Sequence, residues 1–138
     1  MPAVKRIDHI ALIVDDMEKT LSFWRDALGM ELSHVEDVAA DKSRVAFLSV
    51  GGSEIELVEP TTIDSGLGRY LDKRGPGMHH VCLEVDNIDG MLEQLKGKGV
   101  QLINEKPALG SGGKKYAFVH PKSANGVLVE LYELPASA

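Results

Sequence analysis

The chain has 138 residues, 43% hydrophobic and 26% charged, with a formal net charge of −6. That length allows one compact domain or two very small halves that share a core. Its Lys and Arg residues are scattered in single pairs, which argues against nucleic-acid binding, and its apolar runs are too short to cross a bilayer. Nothing resembles a signal peptide, and the single cysteine, Cys82, suits a reducing cytoplasm and excludes an intramolecular disulfide.

Residues 7–14 (IDHIALIV) are extended and rich in Ile, Val and Leu, and so predict a strand. Asp15 and Asp16 are competent helix caps. Met17, Leu21, Trp24 and Leu28 then recur at i, i+4, i+7 and i+11, the apolar stripe of an amphipathic helix. Gly29 stands where a C-terminal cap belongs. Strands come next near Glu31–Val35, at Val45–Val50 and, after a Gly51-Gly52 turn, at 54–60 (EIELVEP). The Gly- and Pro-containing stretch 61–76 reads as a connection holding a short helix around Leu67–Leu71.

The same order then returns. A strand at 78–85 (MHHVCLEV) precedes cap-competent Asp86 and Asn87. Ile88, Met91, Leu92 and Leu95 line a helix that ends near Gly97 and Gly99. Further strands are expected near Gln101–Asn104, at Tyr116–His120 and at 128–134 (LVELYEL). An offset of 71 places His9 on His80, Val14 on Val85, Met17 on Ile88 and Leu21 on Leu92. An offset of 74 places Glu56 on Glu130, so three additional residues lie in the loop 120–126 (HPKSANG). The unit is β-α-β-β-β and occurs twice. The expectation is an α+β fold in which two tandem βαβββ units form a mixed-sheet, partly closed metal-binding cleft. One domain spans 1–138, with unit one at about 5–62, a linker at 63–76 and unit two at about 77–138.

The repeat duplicates one His and one Glu inside apolar strands: His9 with Glu56, His80 with Glu130. Singly, each reads as a core histidine or an edge glutamate. Together they bring two carboxylates to one place, and buried carboxylates need a cation. Two imidazoles and two carboxylates around a divalent ion make a neutral site with four of six octahedral positions filled. Two open positions can take substrate. Strand alternation puts Ala11 and Ile13 on the His9 face, Val58 on the Glu56 face and Tyr132 on the Glu130 face. In GMHHVCLEV (77–85) only one of the adjacent histidines can face the site. The repeat selects His80 and turns His79 to the opposite face. Cys82 reads as a buried small hydrophobe, His34 as surface, and His120 as a hydrogen-bonding loop residue.

KRIDHIALIVDDMEKTLSFWRDALGM, SEIELVEP, GPGMHHVCLEVDNIDGMLEQLKGKGVQLINEKP and FVHPKSANGVLVEL resemble the vicinal oxygen chelate superfamily, and within it the methylmalonyl-CoA epimerases. The resemblance is collinear over nearly the whole chain. It implies that His9, Glu56, His80 and Glu130 hold one divalent metal ion, cobalt foremost, with zinc, nickel or manganese as substitutes. It also implies an acyl-CoA substrate and R/S epimerisation at C2 by proton abstraction through a metal-stabilised enolate. In the family the carboxylate at Glu130 is a candidate base. Some members carry a second Glu on the strand that here reads SRVAFLSV, at a position aligned with Val45. Some have Gln at Glu56. The pseudo-twofold placement of Glu56 and Glu130 makes the Glu56 carboxylate a candidate second base. Lys122 and Ser123 are candidate contacts for the substrate carboxylate or a CoA phosphate, against the reading of a solvated turn. The resemblance also implies a homodimer. The alternatives are a glyoxalase I-type lactoylglutathione lyase, a non-enzymatic small-molecule-binding member and an iron dioxygenase.

Overall fold

Ten residues form the first strand, β1 (Val4–Ile13), exposed at its start and alternating in burial from Asp8 on, in a computed structural model that describes residues 1–136. Two contact units divide the chain: His9–His79, and residues 1–8 with the segment from His80 onward. β1 contributes to both.

Within His9–His79, β1 is followed by α1 (Met17–Leu21), β2 (Glu31–Val38), β3 (Ser43–Val50), β4 (Ser53–Pro60) and α2 (Gly66–Arg74). The strand order is β2-β3-β4-β1. β2, β3 and β4 run antiparallel in sequence, and β4 lies parallel to β1. Val14, Met17, Leu21, Ala46, Leu48 and Leu57 make the buried core, with Leu12, Trp24 and Ile55 packed on it. The predicted helix stripe is realised through Trp24, but the α-helix stops at Leu21 and Ser22–Ala27 is a π-helix. Leu28 N–H donates to Phe23 O at 2.9 Å. One additional residue in that turn rotates the later positions by about 100°, so Leu28 ends exposed rather than on the stripe. The connection after β4 holds a longer helix than the expected five residues: α2 starts on Ser65, whose hydroxyl accepts from Gly68 N–H at 2.9 Å.

The second unit holds β5 (Gly77–Val85) from His80 onward, α3 (Ile88–Gly97), β6 (Ala108–Leu109), β7 (Lys115–Val119) and β8 (Val129–Glu133). Its order is β5-β8-β7-β6, with β5 parallel to β8 and the other pairs antiparallel. Val85, Ile88, Met91, Leu92, Ala117, Val119 and Leu131 form its core. The strand expected at Gln101–Asn104 is absent. Leu102 makes one isolated bridge to Val119, and the paired strand is Ala108–Leu109. The segment is held to β7 by separate backbone bonds, His120 N–H to Gln101 O at 3.0 Å and Ile103 N–H to Phe118 O at 2.8 Å. Side chains interrupt the ladder between them: Gln101 N–H donates to Ser123 Oγ at 2.9 Å, and Phe118 N–H donates to Asn104 Oδ1 at 2.8 Å.

Both units begin their helix with the same device. Asp16 accepts from Lys19 N–H and Asn87 from Gly90 N–H. The first helical N–H of each, Met17 and Ile88, donates to a glutamate on the last strand, Glu59 at 2.8 Å and Glu133 at 2.7 Å. A carboxylate against orphan N–H groups at a helix start is favourable. Both pairs obey the repeat offsets of 71 and 74. Among the described residues, no helix is long and apolar enough to cross a membrane.

Candidate metal and active site

The parallel pairing of first and last strands sets the site in each unit. Ala11 stands opposite Glu56 on β1 and β4, and Cys82 stands opposite Glu130 on β5 and β8. The registers are equivalent under the repeat. His9 lies two residues before Ala11, and His80 two before Cys82, so each histidine shares its glutamate's face. His9 Nδ1 is 3.1 Å from Glu56 Oε2, and His80 Nε2 is 3.1 Å from Glu130 Oε1. His9 is 6% exposed and Glu130 8%.

Glu59 and Glu133 are three residues beyond Glu56 and Glu130. An odd spacing puts them on the opposite face, where they hold the helix starts. Of the two glutamates on each last strand, one belongs to the site face and one to the helix.

The His–Glu spacing also tests the fit to a metal. Two donors about 2.1 Å from one ion and at right angles to it are about 3.0 Å apart. Either pair matches one edge of a coordination octahedron as it stands. Imidazole nitrogen and carboxylate oxygen are donors that first-row divalent ions accept. The same distance suits a direct hydrogen bond. The residues present fit the ion.

The adjacent histidines separate as alternation requires. The His80 ring meets Phe118 edge-on at 5.7 Å. His79 meets Tyr70 of α2 edge-on at 4.8 Å, and the Arg74 guanidinium lies 5.0 Å from the Tyr70 centroid.

Behind the donors the two units differ. Ala11 and Ile13, which come after His9, are fully buried and apolar. Their counterparts after His80 are Cys82 and Glu84. Glu84 is 5% exposed, and it accepts from Arg6 Nε at 2.8 Å with Lys5 Nζ at 3.2 Å. Arg6 also donates to Asp8 Oδ1 at 2.8 Å, and Tyr132 OH donates to the same oxygen at 2.6 Å. Sequence reasoning missed this network. Its one visible signal was an acidic residue, Glu84, at an inward strand position, which demands a partner without naming one. Burial first, then the hydrogen bond to Asp8, pushes the Tyr132 hydroxyl up from its ordinary range. Burial first, then the Glu130 charge, pushes the Cys82 thiol up as well. Cys82 is a buried protonated thiol, as its apolar neighbours predicted.

Val45 lies buried on β3, opposite Val58. Lys122 and Ser123 lie in a 3-10 turn, Pro121–Ser123, and both are exposed. The Ser123 hydroxyl is used by Gln101, and Lys122 N–H donates to His120 Nδ1 at 3.0 Å. His34 is exposed and stacks on Phe47 at 4.4 Å.

The model of the Glyoxalase/Bleomycin resistance protein/Dioxygenase superfamily matches residues 6–131. Over 130 residues the chain is 40% identical to the uncharacterized protein YqjC of Bacillus subtilis (strain 168), covering 94% of this chain and 93% of that one. It is 41% identical over 127 residues to the mitochondrial methylmalonyl-CoA epimerase of Mus musculus, covering 91% of this chain and 71% of that protein. A solved methylmalonyl-CoA epimerase in complex with methylmalonyl-CoA and NH4+ superposes with a TM-score of 0.84 at 35% identity, covering 97% of both chains. The duplicated His–Glu pair and these likenesses agree: the chain belongs to the Glyoxalase/Bleomycin resistance protein/Dioxygenase superfamily, in its methylmalonyl-CoA epimerase family.

Proposed function

We propose that this protein interconverts the two C2 epimers of methylmalonyl-CoA, with His9, Glu56, His80 and Glu130 holding one divalent ion. The observation that carries the reading is the His–Glu pair built twice, at 3.1 Å, on equivalent strand registers. Cobalt is the proposed ion, with zinc, nickel or manganese as substitutes. When bound, it supplies Lewis-acid stabilisation of the negative charge that develops on the thioester oxygen.

The chain's own residues move the protons. The C2 proton is acidified by the thioester carbonyl beside it. The Glu130 carboxylate takes it, leaving an enolate, and the Glu56 carboxyl, in its acid form, returns a proton to the opposite face. One proton leaves and one arrives, so the configuration inverts with no net change in composition. Val45 offers no carboxylate, which leaves Glu56 as the second acid–base group. Ala11, Ile13 and Val58 make the packing behind this His–Glu pair apolar. Lys122 and Ser123 are proposed contacts for a CoA phosphate. The chain is proposed to act as one domain of two repeats, about 5–62 and 77–138 joined by 63–76, as a cytoplasmic homodimer.

The test is exchange of the C2 hydrogen of methylmalonyl-CoA in deuterated water, followed by NMR on cobalt-loaded protein. Exchange at both epimers is expected. Full metal occupancy without exchange refutes the reading, and turnover of a glutathione hemithioacetal instead assigns the chain to the lyases.

A further inference from the structure

His120 stands one residue past β7, in extended backbone with φ of −64° and ψ of 133°. Its N–H donates to Gln101 O at 3.0 Å, which carries the strand direction on past Val119. Val119 is buried in the core that α3 covers, so alternation turns His120 to the opposite face, with Phe118. That is the face of Glu130, because Phe118 is the register partner of Glu130. Val129 pairs with Val81 on one side and with Val119 on the other. One residue earlier, Leu128 therefore lies between His80 and His120 in a single row across the sheet, and its carbonyl accepts from Val81 N–H at 3.2 Å. His120 and Glu130 are then diagonal neighbours, about 7–8 Å apart at their backbones.

The ring is held in one tautomer. Nδ1 accepts from Lys122 N–H at 3.0 Å, so the proton of the neutral ring is on Nε2. Among the described residues nothing bonds Nε2, and the residue is half-buried. A half-buried N–H donor without a protein partner is completed by a ligand or by water.

The equivalent row in the other unit has a different character. The offset of 71 places Ser49 at the position of His120, and the offset of 74 places Glu54 at that of Leu128. His9, Glu54 and Ser49 are register partners in turn, and Glu31 flanks Ser49 on β2. That row carries two carboxylates. The His120 row carries none, and Lys122 follows it on an exposed turn. A substrate with a single polyanionic arm lies over only one of two equivalent rows, and repulsion by Glu31 and Glu54 turns it to the other. Along β8 the opposite direction is closed. Tyr132 and its register partner Glu84 are each 5% exposed, and Asp8 and Arg6 hold them in place.

We propose that His120 donates its Nε2–H to the first amide carbonyl of the pantetheine arm, and so fixes the side on which an acyl-CoA thioester enters. The inference deepens the acyl-CoA reading above and rests on it. Two methylenes separate the thioester sulfur from that amide, a reach comparable to the diagonal step of about 7–8 Å from Glu130 to His120. His120 acts on the arm, distinct from the proton-moving glutamates and from the metal donors.

The experiment measures calorimetric binding of two small thioesters to cobalt-loaded wild type, His120→Asn and His120→Gln. The methylmalonyl thioester of N-acetylcysteamine carries the amide, and the methylmalonyl thioester of pentanethiol is an amide-free counterpart of the same length. In His120→Asn the side-chain oxygen replaces Nδ1 as acceptor for Lys122, so the turn is kept and the far donor is lost; an unchanged melting temperature checks this. His120→Asn is expected to weaken the amide-bearing thioester about three- to tenfold, the scale of one neutral hydrogen bond. The pentyl thioester is expected to stay within about twofold. His120→Gln, whose amide nitrogen reaches the place of Nε2, is expected to recover most of the loss. In turnover of the amide-bearing thioester, KM rises further than kcat falls. Equal weakening of both thioesters overturns the proposal, and so does no change in either. Wild type that binds both and exchanges the C2 hydrogen of neither refutes the epimerase reading by itself, while the contact of His120 with the amide is still read from binding.

Discussion

Replacing His80 and His79 with alanine, one at a time, separates two neighbours whose roles differ only by strand alternation. The His80 side chain is 13% exposed and its Nε2 is 3.1 Å from Glu130. Its loss removes one of the two donors that this unit offers the proposed ion. Loss of a mere supporting partner of a metal ligand costs about 10- to 100-fold in affinity, so loss of the ligand is expected to cost at least about 100-fold. The His79 side chain meets Tyr70 at 4.8 Å, a contact of about 0.5–1.5 kcal/mol. With an unfolding entropy of about 2.1 cal/mol/K per residue over 138 residues, that is a fall of about 2–5 °C in melting temperature. Equilibrium dialysis with cobalt reads the first effect, and calorimetric melting in the presence of EDTA reads the second. Equal loss of metal in the two variants would refute the strand register argued here. So would a larger loss in His79→Ala.

Glu56→Gln keeps a coordinating oxygen but removes the proton carrier, and turnover is expected to fall about 100-fold or more at full metal occupancy. Near-normal turnover sinks the acid–base role of Glu56. Arg6→Met leaves Glu84 buried with only Lys5 beside it, and urea unfolding should show a loss of about 1–2 kcal/mol, discounted because the Arg6 side chain is 40% exposed. Adding Glu84→Ile, the residue type at the equivalent Ile13, should recover most of that loss; a further drop would show that the ion pair itself stabilises the fold. Tyr132 and Cys82 both have proton affinities raised in the folded state. Their contribution is complete below the ordinary values of 9.0 for the thiol and 10.0 for the phenol. It is lost as pH rises, because the unfolded chain releases these protons first. Stability measured by urea titration should therefore fall from about pH 9 upward, and Tyr132→Phe should flatten the part above about pH 10. A Tyr132→Phe variant with an unchanged alkaline slope contradicts this account.

The two halves show how a repeat divides labour once it is duplicated. Each retains the helix-starting glutamate, Glu59 or Glu133, and each retains the His–Glu pair. Behind the pair, one unit stays apolar, with Ala11, Ile13 and Val58. The other has become polar, with Glu84, Tyr132, Asp8 and Arg6.

Periodicity and internal repetition are local properties of a chain, and they carried much of this protein. The stripe Met17, Leu21, Trp24, the alternation around His9 and His80, and the offsets of 71 and 74 are legible in the sequence, because side-chain direction repeats every 2 or about 3.6 residues. The choice of His80 over His79 came from that logic alone. Other features needed the folded chain. Gln101–Asn104 has strand composition and makes backbone bonds to β7, yet the side chains of Ser123 and Asn104 take two N–H groups that a continuous ladder would use. The π-turn at Ser22–Ala27 breaks a helix period that the sequence continues to Leu28. The partners of Glu84 and Tyr132 lie 78 and 124 residues away along the chain. A sequence shows that a buried charge must be matched; which residue matches it is decided by chain segments that meet only in the tertiary structure.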